Sequence, residues 1–174
     1  LLKKRTTLIA WIAGALIAVL VLISQLPPKT DKTQKTYLGK SKVRGVRNNN
    51  PGNIRYSPAN AWLGKVPISQ NTDGAFEQFV EWRYGVLALI KLLSKYIVRY
   101  GTISKMIAKY APNTENNTVA YINAVSSETG YPANQVLTVT KETLKRLTLS
   151  IAKHELGSDE YLTEEDFNNA YQII

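Results

Sequence analysis

The sequence predicts a mainly α-helical α+β fold, with a small β region early in the domain and a transmembrane helix ahead of it. Three observations predict this. Residues 8–26 form an uncharged apolar run of nineteen, close to the roughly 20 residues that cross a bilayer as a helix. Residues 53–79 mix short apolar runs with Pro58, Gly64, Pro67 and the turn signal Asn71-Thr72-Asp73-Gly74, which suits short strands and turns. From Tyr84 onward apolar residues recur at intervals of three and four, the spacing of amphipathic helices. The expected division is a membrane anchor over 1–26, a flexible basic tether over 27–43 and a domain over 44–174.

The anchor follows Lys3-Lys4-Arg5. Its apolar run is too long for a signal-peptide core and no small-x-small cleavage site follows, so it reads as a span held in a lipid bilayer. Pro27-Pro28 ends it. Residues 29–42 are polar, basic and without apolar periodicity, as an extended tether would be. Basic residues stand on both sides of the span, so charge alone does not orient it. In the β region Trp62, Phe76 and Phe79 are the expected packing residues, and an exposed Trp62 would also stack on a sugar face.

The helices have recognisable ends. Val86, Leu89, Ile90, Leu93 and Ile97 share one face of the first, which stops at Gly101. Thr102 caps a second that runs to Tyr110 and breaks at Ala111-Pro112-Asn113. Thr114 or Asn116 caps a third reaching about Ser127, with Gly130-Tyr131-Pro132 after it. Thr140 opens a fourth carrying Leu144, Leu147, Ile151 and Ala152 on one face, and Gly157 suits a left-handed cap at its end. Thr163 with Glu164, Glu165 and Asp166 begins a last short helix, acidic in its first turn.

Composition narrows the chemistry. The chain has 174 residues, 44% of them hydrophobic, enough for a real core. Cysteine is absent and His154 is the single histidine, which excludes a disulfide framework, a zinc ribbon and a thiol nucleophile, and no metal or cofactor is expected. The net charge is +9, but residues 1–47 hold ten Lys/Arg against one acid, whereas residues 48–174 hold twelve against twelve. The excess sits in the anchor flanks and linker. This speaks against nucleic acid as a partner and for an appendage near anionic phosphates.

The stretch Arg44-Gly45-Val46-Arg47-Asn48-Asn49-Asn50-Pro51-Gly52-Asn53-Ile54-Arg55 is unsuited to a helix interior or central strand. Asn side chains bond nearby backbone, Pro51 removes a donor, and Gly52 admits positive φ. It reads either as a turn with no ligand or as a loop whose Asn48, Asn49, Asn50 and Asn53 hold a neutral polar ligand such as a sugar. The matching acid is Glu155, at the C-terminal end of an amphipathic helix after Ile151 and Ala152. Partial desolvation and helix carbonyl dipoles favour a protonated acid there, which a glycosidase needs for its leaving oxygen. Position alone favours a solvated helix-end glutamate beside His154.

The run Leu149-Ser150-Ile151-Ala152-Lys153-His154-Glu155-Leu156-Gly157 resembles the signature helix of lytic transglycosylases and related glucosaminidases, an apolar helix leading to Glu, a small residue and Gly. Leu156 stands where the small residue is expected. Residues 113–125 resemble the Glu-Thr-x-x-Tyr-Val segment of those enzymes, with Tyr121 as the tyrosine that faces the acid. Residues 49–55, with Trp62-Leu63-Gly64, Asp73-Gly74 and the 76–79 run, are similar to the β lobe of flagellar-type glucosaminidases. The Asn-rich run also looks like one in phage virion proteins associated with wall degradation. The order differs, since the acid helix follows the β lobe as in a circular permutation.

The resemblance implies a lysozyme-like domain that cleaves the bond between N-acetylmuramic acid and N-acetylglucosamine in peptidoglycan. Glu155 would be the acid, Tyr121 its partner, and Asn48, Asn49, Asn50, Asn53 and Trp62 the glycan contacts. A lytic transglycosylase needs no second carboxylate, while a hydrolase would use Asp73 or Glu77 to activate water. The setting would be a virion membrane or a bacterial inner membrane with the domain facing the periplasm, beside other virion or envelope proteins. The alternative is a virion structural or wall-binding module of the same fold without turnover.

Overall fold

Among the described residues six helices form, the longer ones following the apolar spacing: α1 (Arg44–Arg47), α2 (Trp82–Tyr100), α3 (Ile103–Tyr110), α4 (Thr118–Thr129), α5 (Lys141–Leu156) and α6 (Glu164–Tyr171). The computed structural model describes residues 35–113 and 117–174. Thr102, Asn117, Thr140 and Thr163 each accept a backbone N–H of the first turn through a side-chain oxygen, and Thr163 completes a capping box with Asp166. Gly101, Gly130 and Gly157 close α2, α4 and α5 in the left-handed conformation, which a residue without Cβ adopts at little cost.

Helix α2 is the hub. Val86, Leu87, Leu89, Ile90, Leu93 and Ile97 are buried, and the helix packs on α3, α5 and α6, while α4 lies against α3 and α5. Burying each such side chain contributes about 1.5–3 kcal/mol. Phe79, Trp82, Tyr121 and Phe167 are almost wholly buried.

The early region differs from the β lobe expected. Among the described residues it makes two isolated antiparallel bridges, Arg55 with Phe76 and Lys65 with Phe79. Turn residues recur too often for a ladder to propagate, and side chains tie the loops alongside a few backbone bonds such as Val66 N–H to the Gln78 carbonyl at 2.8 Å. Asn71 Oδ1 accepts the N–H groups of Asp73 and Gly74, and its amide donates to the Phe76 carbonyl at 2.8 Å. The fold is therefore mainly α.

The domain also starts earlier than residue 44. Its compact unit begins at Lys35, and the described part of the expected tether is packed. Lys35 pairs with Asp166 at 2.7 Å, its carbonyl accepts from Trp82 N–H at 3.0 Å, and the Tyr37 ring meets Trp82 edge-on at 5.2 Å.

The membrane location expected from the sequence is corrected here. Among the described residues no helix is long and apolar enough to cross a membrane. The 8–26 segment and the tether up to residue 34 lie outside the described residues.

Candidate active site

The asparagine run builds the loop from inside. Asn48, Asn49 and Asn50 are wholly buried, and each amide bridges two segments. Asn49 donates to the Phe79 carbonyl at 2.9 Å and to Thr36 Oγ1 at 2.8 Å, while its Oδ1 accepts from Tyr37 N–H. Asn50 donates to the carbonyls of Ile54 and Glu77 and accepts from Ile54 N–H. Asn48 donates to Asp73 Oδ2 and accepts from Gln78 Nε2. Buried amides must be paired, and these three are spent on the protein. They hold the loop, and the expectation that they contact a glycan is replaced by that role.

The left-handed positions are Asn49 (φ 50) and Asn53 (φ 42), not Gly52. Asn tolerates that region better than other side-chain-bearing residues. Gly52 is required for closeness instead. A Cβ there would lie 2.7 Å from Leu89 Cδ1 and 2.8 Å from the Tyr110 hydroxyl oxygen, and that hydroxyl donates to the Gly52 carbonyl.

Asn53 is the asparagine that leaves the framework. Its Nδ2 donates to Glu155 Oε2 at 3.0 Å and to the Glu155 carbonyl at 3.2 Å. From α4, the Tyr121 hydroxyl donates to Glu155 Oε1 at 2.9 Å. Two donors from different elements thus grip the two carboxyl oxygens. The Tyr121 ring stacks on His154 at 3.5 Å with planes 19° apart, so the end of α5 is held from the side as well.

Leu156 fits despite its size because of what faces it. A Cβ on Gly45 would stand 2.6 Å from Leu156 Cδ2 and 2.9 Å from Asn53 Oδ1. The glycine of α1 makes room for the large residue beside the acid.

Glu155 is half-buried and lines a groove of ≈ 490 Å³ with Asn53, Phe76, Leu92, Tyr96 and Tyr110, within the size of small-ligand sites. Tyr96 is fixed edge-on by Tyr100 and Tyr110, at 5.1 and 6.3 Å between ring centroids. Tyr96 and Tyr110 were not singled out from sequence. Their signal was Tyr96 and Tyr100 four apart on α2, with Tyr110 closing the next helix.

Trp62, expected as a sugar platform, is half-buried against the core, with Lys95 Nζ 5.4 Å from its ring and outside the groove lining. Asp73 and Glu77, expected as candidates to activate water, serve structure instead. Glu77 is fully buried, with Oε1 taking Lys65 at 2.9 Å and Ser57 N–H at 3.1 Å. Asp73 Oδ2 takes Asn48 and Arg44, and the side chain is 4% exposed. Among the described residues no three His, Asp or Glu gather as a metal site.

Burial, then the charges of Tyr110 and Glu155, push the Tyr121 phenol far above its ordinary 10.0. The Tyr110 phenol is likewise raised, by burial and then by Glu155. Both stay neutral donors at neutral pH. A folded-state value raised above the unfolded one gives stability that is full below the unfolded pKa and is lost as pH rises beyond it. Stability should therefore fall above about pH 10, by about 1.4 kcal/mol per pH unit for each such proton. Denaturant melts of the parent and Tyr121→Phe from pH 7 to 11 check this. The variant should show the shallower alkaline decline, and an identical decline would contradict the assignment.

Fold and site together define a mainly helical domain with one carboxylate gripped by an amide and a phenol on the wall of an aromatic groove. The chain is 37% identical over 127 residues to "Protein P5" of Pseudoalteromonas phage PM2, an alignment covering 71% of this chain and 77% of the relative. It belongs to the family of that phage protein. No family model matches it.

Proposed function

We propose that the groove binds a peptidoglycan glycan strand and that Glu155 cleaves it as the single acid of a lytic transglycosylase with a lysozyme-like fold. The observation carrying this reading is the meeting of Asn53, Tyr121 and Glu155, which come from three separated parts of the sequence. Glu155 gives its proton to the glycosidic oxygen as the C1–O bond of N-acetylmuramic acid breaks, leaving positive charge on the sugar ring. The N-acetyl oxygen stabilises C1, the 6-hydroxyl of the same sugar then bonds to C1, and its proton returns to Glu155. The product is a 1,6-anhydro end, and no water or second carboxylate takes part.

Several features support this course over hydrolysis. Asp73 and Glu77 are both engaged in ion pairs away from solvent, leaving Glu155 as the acidic residue of the groove lining among the described residues. Tyr121 and Asn53 keep the carboxyl in one orientation, so little reorganisation accompanies proton transfer. Tyr96 and Tyr110 offer rings for sugar faces. Kinship to a phage protein supports a phage setting, in which such an activity would serve local opening of a bacterial wall during infection.

The test is release of soluble muropeptides from purified sacculi. Release by the parent supports the reading. A folded protein that binds sacculi and releases nothing would make it a wall-binding or virion structural module.

A further inference from the structure

Helices α2 and α3 contain no Asp or Glu, yet carry Lys91, Lys95 and Arg99 at successive four-residue steps, then Lys105 and Lys109. Like charges four apart on a helix destabilise it by a few tenths of a kcal/mol per pair. Among the described residues none of these five cations is in an ion pair, whereas Lys145, Arg146 and Lys153 of α5 each have a carboxylate partner. Lys95, Arg99, Lys105 and Lys109 are exposed, and Val98 among them is 79% exposed. The domain over 48–174 is neutral in sum and polarised in space.

The cationic face runs into the groove. Leu92 and Tyr96 lie one residue on from Lys91 and Lys95 and line the groove wall, and Lys109 lines it from α3. A polymer leaving the groove along α2 would pass over Lys95 and Arg99. We infer that this face is a docking surface for the carboxylates that peptidoglycan carries along its glycan, so that the strand in the groove is chosen with its anionic substituents rather than as a neutral sugar chain. The inference rests on the glycan reading of the groove. Charge complementarity of this kind contributes mainly to encounter and selection and weakens with salt.

The test uses Glu155→Gln as a non-cleaving background, alone and with Lys91→Gln, Lys95→Gln and Arg99→Gln together. Arg99 is exposed, whereas Lys91 is half-buried and Lys95 lies over the Trp62 ring at 5.4 Å, so the fold is checked by circular dichroism, and Arg99→Gln with Lys105→Gln, both exposed, serves as a second charge variant. Binding is measured to purified sacculi, neutral chitin, vesicles containing anionic lipid and duplex DNA at low and physiological salt. The expected result is about tenfold weaker binding of sacculi by the charge variant or on adding salt, from three partly solvated charges, with chitin binding unchanged. Equal sacculi binding by both proteins with chitin binding intact overturns this inference alone. Parent binding to vesicles or DNA that exceeds binding to sacculi and vanishes in the charge variant also overturns it, assigning the face to another polyanion. No binding to sacculi or chitin removes the groove reading as well.

Discussion

Glu155→Gln should lower muropeptide release by about 10²–10⁴-fold, the range typical for a positioned general acid, while leaving thermal stability within about 1 kcal/mol of the parent. The amide has the same shape: its oxygen can still accept from Asn53, and its NH2 can donate to the Tyr121 hydroxyl oxygen, so one hydrogen bond reverses direction and the fold loses little. What it lacks is the proton for the leaving oxygen. Measuring release rate and melting temperature on one preparation separates the two quantities. A variant with parental activity would remove Glu155 from the chemistry, and one that loses activity only by unfolding would reassign it to structure.

The largest stability effect is expected at Gly85, one turn into α2. A Cβ there would stand 1.7 Å from the Asn49 carbonyl oxygen and 2.8 Å from its carbon. Both are backbone atoms, and neither can step aside without breaking the bonds that Asn49 makes to Thr36, Tyr37 and Phe79. Overpacking of well-filled sites costs about 1–3 kcal/mol, more where the backbone is held. Gly85→Ala should therefore destabilise by at least about 3 kcal/mol, roughly 10 °C in melting temperature for a domain of this size. Calorimetry checks it, and a shift under about 2 °C would mean that the loop docks less tightly on α2 than these distances indicate.

The helices were legible because their ends carry local signals. Thr102, Thr140 and Thr163 cap as expected, and Gly157 closes α5. The third cap fell on Asn117, one residue beyond Asn116 and three beyond Thr114, since several nearby residues can perform that role. Nothing local announced α1, whose four residues are held by Gly45 against Leu156 rather than by propensity.

The site was legible at its two ends. Glu155 and Tyr121 were picked out, and they touch. The asparagines divide in a way that sequence cannot disclose, because composition gives the same amide to Asn49, turned inward, and Asn53, turned toward the groove. Trp62 and the acids Asp73 and Glu77 were misplaced for a related reason. Whether an aromatic or a carboxylate faces solvent depends on what a distant segment brings to it, such as Lys65 for Glu77 or Lys95 for Trp62.

A single acid acting without an activated water leaves its mark on the new chain end, whose identity reports the mechanism most directly. Purified sacculi would be incubated with the domain spanning residues 35–174, and the released muropeptides resolved by mass spectrometry beside those from Glu155→Gln. The expected products are 1,6-anhydro ends from the parent and almost none from the variant. Reducing ends from the parent would contradict this mechanism, because they require water, rather than the 6-hydroxyl of the same sugar, to bond to C1.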